Sequence, residues 1–178
     1  MTRGRFLSES DRASIQKMLN FHLSEANRLG VDLLSLTNVI FPHELAGEYV
    51  ESLTDKIFVF AFHARRLVDL QDRPYPAQVL RETPYDGIID RDLKELLRWN
   101  FYGFLDYLVH CQSFEVGVGK WVGKKVYVNS ARNSYLSHIV VRTDKHPTAV
   151  FYPFSMVSHY FSEVASKNDL RKLNTREE

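Results

Sequence analysis

The stretch FYGFLDYLVHCQSFEVGV, residues 101–118, holds the point at which the chain changes its hydrophobic period. Up to Val109, the apolar residues Phe101, Phe104, Leu105, Leu108 and Val109 recur at the 3.6-residue period of a helix. From Phe114 the period is two: Phe114, Val116 and Val118 alternate with Glu115 and Gly117, as in a half-buried strand. Upstream of this switch the chain reads as helices and connections, and downstream as short strands.

Working back from the switch, Asp90 is placed to cap a third helix that carries Leu93, Leu96 and Leu97 and ends close to Cys111. Residues 72–86 hold Pro74, Pro76 and Pro84 and no sustained period, so they read as an irregular connection. A second helix is expected from His43 to about Leu70, since Pro42 suits a first helical position. Its run Ile57–Phe62 is apolar on every side and is expected to be buried all round. Ser8 and Asp11 have capping-box spacing ahead of Ile15, Met18, Leu19, Leu23, Ala26 and Leu29, which predicts a first helix ending at Gly30. The segment Leu33–Ile40 is then a short apolar connection.

Working forward, β-branched and aromatic clusters at Phe114–Val118, Val122–Val128, Tyr135–Val141 and Ala149–Tyr152 are separated by Gly, Ser and Asn, which predicts three or four antiparallel strands. Asp144–Pro147 suits a hairpin turn, and a closing helix follows. The expected fold is one α+β domain over residues 1–178. Its helical part, with about three long helices, covers about 8–111, its β-rich part about 113–154, its closing helix about 155–167 and its polar tail 168–178.

Composition narrows the function. The chain has 178 residues, 44% hydrophobic and 25% charged, with a formal net charge of +1. That balance fits neither a disordered chain nor a uniformly basic nucleic-acid coater. With Cys111 alone, an intramolecular disulfide is excluded, as is any zinc site built on two thiolates, and a reducing cytoplasm fits best. No apolar run approaches the roughly 18–20 residues of a membrane span, and Met1–Leu7 is too short and polar for a signal core. A soluble cytoplasmic protein with no membrane partner is expected.

Charge is uneven. Residues 43–115 contain 13 acidic and 8 basic side chains, whereas residues 116–147 contain 6 basic ones and the single acid Asp144. The predicted sheet is therefore a basic face, on which Lys120, Trp121, Lys124, Lys125, Arg132 and Arg142 mix cations with an aromatic in the manner used to follow phosphates and stack bases. The glycines Gly117, Gly119 and Gly123 do not make a phosphate loop. Only three residues separate Gly119 from Gly123, Lys125 stands where the magnesium-binding hydroxyl belongs, and Gly123 falls one position late for a dinucleotide fingerprint. They read instead as a bent strand or hairpin.

Arg132, Asn133 and His138 resemble the motif of HEPN-family ribonucleases, in which an Arg precedes a His by four to six residues. The resemblance covers seven residues and implies metal-independent RNA cleavage, with Arg132 stabilising the phosphate and His138 acting as acid or base. In that family the motif belongs on a helix, whereas Tyr135–Val141 reads as a strand.

Asp106 and His110 stand at i and i+4 on the third helix, close enough to pair. With His63 and Arg65 from the second helix they outline an inter-helix pocket. Glu44, Glu48, Glu51 and Asp55 form an acidic stripe, but neither Glu-x-x-His nor HExxH is present, since Gly47 stands where the second zinc histidine belongs. No metal site and no cofactor is expected. There is no Gly-x-Ser-x-Gly elbow, and Cys111 points about 100° away from its neighbour His110 on a helix. The reading that follows is a non-enzymatic binding, regulatory or accessory module of a bacterial cytoplasm. Its expected partner is another protein or a second copy of itself, because 12 Phe, 9 Tyr and 2 Trp are many to place inside. An RNA-binding or HEPN-like protein using the basic sheet is the alternative.

Overall fold

The computed structural model describes residues 9–72, 83–124, 126–127 and 129–166. Ser8, Pro74, Pro76, Lys125, Val128 and the tail 168–178 lie outside them.

Two long antiparallel helices, α1 (Glu9–Thr37) and α2 (Ala46–Asp72), form a hairpin. Strand β1 (Phe41–Pro42) and a 3-10 turn (His43–Leu45) join them. Strands β2 (Pro84–Tyr85), β3 (Ile88–Asp90) and β4 (Trp99–Asn100) lead into helix α3 (Phe101–Val109). Strands β5 (Ser113–Lys120), β6 (Asn133–Arg142) and β7 (Ala149–Phe151) follow. The described chain closes with α4 (Pro153–His159) and a π-helical segment (Tyr160–Ala165). The fold is α+β, helices on a small antiparallel sheet, as the change of period predicts.

Strand β6 is the hub of that sheet. It pairs with β5 along one edge and with both β1 and β7 along the other, and β3 adds to β7. Every pairing is antiparallel. Leu136, Ile139 and Val141 turn inward from β6 to meet Phe41, Phe60, Phe104, Phe151 and Tyr160 in one core. Leu136 and Ile139 share a face although they are three positions apart, because Ser137 and His138 both oppose Gly117 in a β-bulge. A side chain on Gly117 would collide with the His138 ring. The glycines are thus strand features, as expected from their spacing.

The first helix does not stop at Gly30. It runs seven residues further, and a Cβ at Gly30 would touch the Phe161 ring at 3.0 Å. This glycine admits a crossing aromatic ring and does not terminate the helix. Tyr160 donates to Asn27 Oδ1 at 2.9 Å beside it.

The third helix is shorter than the apolar pattern predicts. Asp90 caps a turn instead: its Oδ1 accepts from the backbone of Asp92 and Leu93, and Lys94 sits in the left-handed region at φ 57°. Ile88, Asp90 and Arg91 are tied by backbone hydrogen bonds to Leu97, Glu95 and Thr148, which holds the segment out of helix. Asn100 is the actual cap, accepting from Gly103 N at 2.6 Å. Leu93 and Leu96 are consequently exposed.

The run Ile57–Phe62 is not buried all round either, since Val59 and Phe62 face outward from α2 while Ile57, Phe60 and Ala61 enter the core. No strand forms at Val122–Tyr127 among the described residues. That loop folds back on itself, with Val126 N and Tyr127 N donating to Asn133 Oδ1. The turn between β6 and β7 falls at residues 143–148, as predicted.

Candidate functional site

An open cleft of about 640 Å³ lies where α3, β4 and the turn between β6 and β7 meet, within the size range of small-ligand sites. Its walls include Arg98, Trp99, Asp106, Tyr107, His110, Asp144, Lys145 and His146. Asp106 and His110 reach it because i,i+4 spacing puts both on the exposed side of α3, whose other side is buried through Phe104, Leu105 and Leu108. Tyr107 fixes the far wall: its hydroxyl lies 3.1 Å from Val141 O and 2.9 Å from Pro147 O, joining α3 to the β6–β7 turn. The rings of Trp99, Tyr107 and His146 pack edge to face, with centroids 4.8 to 5.7 Å apart.

Arg65 reaches this region from α2. Its guanidinium meets Asp106 Oδ1 at 2.8 Å and lies 5.7 Å from the centre of the Tyr102 ring, and Tyr102 donates to Asp69 at 3.0 Å. His110 Nε2 stands 3.6 Å from the same Asp106 oxygen. Three of the four residues of the predicted inter-helix pocket, Arg65, Asp106 and His110, are therefore brought together.

His63 is not among them. It turns toward α1, where its Nδ1 lies 2.9 Å from Nδ1 of His22, with Phe21 and Phe62 against the two imidazoles. Burial holds both histidines below their ordinary pKa.

The residues of the predicted basic face divide into two groups. Lys120, Trp121, Lys124 and Arg132 are exposed at one end of the β5–β6 ladder, where Trp121 Nε1 donates to Lys124 O. Arg142 pairs with Ser113 at the opposite end, eight residues or about 25 Å along β6. Arg132 and His138 are likewise six residues apart on extended chain, roughly 20 Å, too far to grip one phosphate. Arg132 donates to His43 Nε2, while His138 Nδ1 lies 3.0 Å from Ser137 Oγ.

His43 has a further neighbour, Ser134 Oγ, 2.9 Å from its Nδ1. This pair is not an activated nucleophile. Arginine only donates, so Nε2 accepts, and the imidazole proton on Nδ1 is directed at the serine oxygen, the reverse of what a general base requires. Glu44 leaves the predicted acidic stripe to face Ser130 Oγ and Ala131 N, and the Ser130 hydrogen bond holds its carboxyl below the usual range. Burial pushes the half-buried Cys111 thiol up, which lowers its thiolate fraction.

Among the described residues, no three of His, Cys, Asp and Glu lie close enough to hold a metal ion, and no helix is long and apolar enough to cross a membrane. Arg98, Trp99, Lys145 and His146 have no local spacing that marks them. They meet because β3 pairs with β7 and also bridges, through Ile89 and Leu96, to the segment that leads into β4. No protein-family model matches the chain, and neither the curated proteins nor the solved structures contain a match.

Proposed function

We propose that this protein is a non-enzymatic binding module whose recognition site is the cleft between α3 and the β6–β7 turn. The ligand class is a small molecule that joins a flat ring to an anionic group, as a nucleotide does. One observation carries this reading: Trp99 and His146 present ring surface in the same cleft as Arg98 and Lys145, neither of which has an ion-pair partner among the described residues. Arg65 pairs with Asp106, one of the two acids that line the cleft, which offsets its repulsion of an anion and leaves Asp144 as the other acid. The cleft supplies a stacking surface and cations but no activated nucleophile, which favours binding without turnover.

The test uses Trp121→Phe protein, in which Trp99 is the only tryptophan, titrated with nucleoside mono- and diphosphates. Saturable quenching that Arg98→Ala and Lys145→Ala each weaken, with the nucleotide recovered intact, is the expected result. Turnover of the nucleotide, or no quenching by any member of the series, refutes it.

A second reading rests on the exposed cluster of Lys120, Trp121, Lys124 and Arg132, a stacking ring among cations suited to single-stranded RNA. Salt-sensitive anisotropy of a labelled RNA in EDTA, lost in Trp121→Ala, is its test.

A further inference from the structure

The outer face of the α1–α2 hairpin carries a cluster of large apolar side chains directed at solvent. Phe21 is 57% exposed, Phe62 49%, Val59 45% and Met18 40%. Phe21 and Phe62 pack over the buried His22–His63 pair, so the cluster is held in place from beneath. Scattered single apolar residues on a surface are ordinary; four on one face of a helix pair mark an interface.

The charges flanking this cluster identify what covers it. Along α2, Asp55, Val59, Phe62 and Arg66 form one stripe with spacings of four, three and four, so the stripe has the same spacing read in either direction. Its charge does not: an acid stands at one end and a base at the other. Asp55 and Arg66 each lie about 8 Å from the midpoint between Val59 and Phe62 along the helix axis. Neither forms an ion pair among the described residues. A second α2 laid antiparallel across that midpoint puts Val59 of each chain against Phe62 of the other, and each Arg66 over an Asp55 of the other chain. An isologous two-fold contact requires this self-complementarity, which no unrelated partner would impose.

We infer that the protein is a homodimer, closed by antiparallel packing of two α1–α2 hairpins with α2 against α2 at the seam. The cleft lies on another part of the fold, so this assembly is independent of the ligand proposed above.

Sedimentation velocity on the full chain tests it. The wild type is expected to sediment as a dimer at micromolar concentration and Phe62→Ser as a monomer with an unchanged circular dichroism spectrum. Asp55→Arg sets like charges together at both symmetric contacts and should raise the dissociation constant at least about tenfold. Adding Arg66→Asp to that variant exchanges the two charges and should restore the dimer. Because Asp55 is exposed and Arg66 is only partly buried, the exchange keeps the test valid even if Phe62→Ser disturbs folding. A wild type monomeric at about 100 µM overturns the inference and assigns the face to another partner. A dimer indifferent to Phe62→Ser, or a charge exchange that fails to restore association, also overturns it.

Discussion

Nδ1 of His22 and Nδ1 of His63 lie 2.9 Å apart in the wall between α1 and α2, and each residue is more than nine-tenths buried. A hydrogen bond between these atoms has one imidazole donating and the other accepting, so the pair is compatible with at most one proton at the contact. Burial lowers both pKa values, and each group's neighbours adjust the effect: His63 and Arg66 push His22 further down, while Glu25 raises and Arg28 lowers His63.

Stability should therefore fall on mild acidification. The unfolded histidines titrate near 6.5 and the folded ones below that, so the unfolded state binds more protons as pH drops from about 6.5. The full contribution is present above that pH and is lost as pH falls through the folded values. Urea midpoints at pH 7.5 and 5.5 should differ clearly in the wild type and much less in His22→Leu/His63→Leu. Equal losses in the two proteins would contradict this.

At the alkaline end, Tyr85 is one of three buried or half-buried phenols, with Tyr107 and Tyr160, whose pKa burial raises. That of Tyr85 is raised to about 12, while the unfolded phenol titrates near 10. The folded state keeps its proton where the unfolded state has lost it, so stability declines from pH 10 upward, Tyr85 alone contributing about 2–3 kcal/mol at pH 12. Tyr85→Phe should remove its share of that decline, leaving the part that Tyr107 and Tyr160 contribute, while changing the neutral midpoint little, because the contact of its hydroxyl with Ser155 is long at 3.5 Å.

Tyr107→Phe should cost about 1–2 kcal/mol at neutral pH, because it removes the hydroxyl that contacts both the Val141 and the Pro147 carbonyls. The loss should be accompanied by faster amide exchange in residues 143–148, which that hydroxyl ties to α3. A wild-type urea midpoint with unchanged exchange would show the bond to be inconsequential.

Gly30→Val should destabilise the protein by about 1–3 kcal/mol through overpacking against Phe161. Phe161→Ala removes the obstructing ring, so the double variant should lose less than the two single losses combined. Strict additivity would mean that the glycine serves something other than the passage of that ring.

How much of this was legible in the sequence depends on the range of the forces involved. The α+β class follows from the period change at Cys111, because periodicity is local. The end of α1 does not, since Gly30 answers to an aromatic ring 131 residues away in sequence. Asp90 was recognised as a cap, but the element it caps is decided by hydrogen bonds to Glu95 and Thr148. Asp106 and His110 carry an i,i+4 signature and were found. Lys145 and His146 carry none and were missed, as was His22, which looks like one more polar position on an amphipathic helix until its counterpart on α2 is placed opposite.

The position of β6 as hub also has a consequence in time. A ribosome delivers α1 and α2 complete while the strand that organises their sheet is still some sixty codons from translation, and Phe41, already made, waits for Ser134 as its ladder partner. At about 5–20 residues per second the helical hairpin spends several seconds with its sheet-facing side uncovered. Nascent chains stalled before residue 133 should accordingly recruit holdase chaperones, and release should coincide with the emergence of β6.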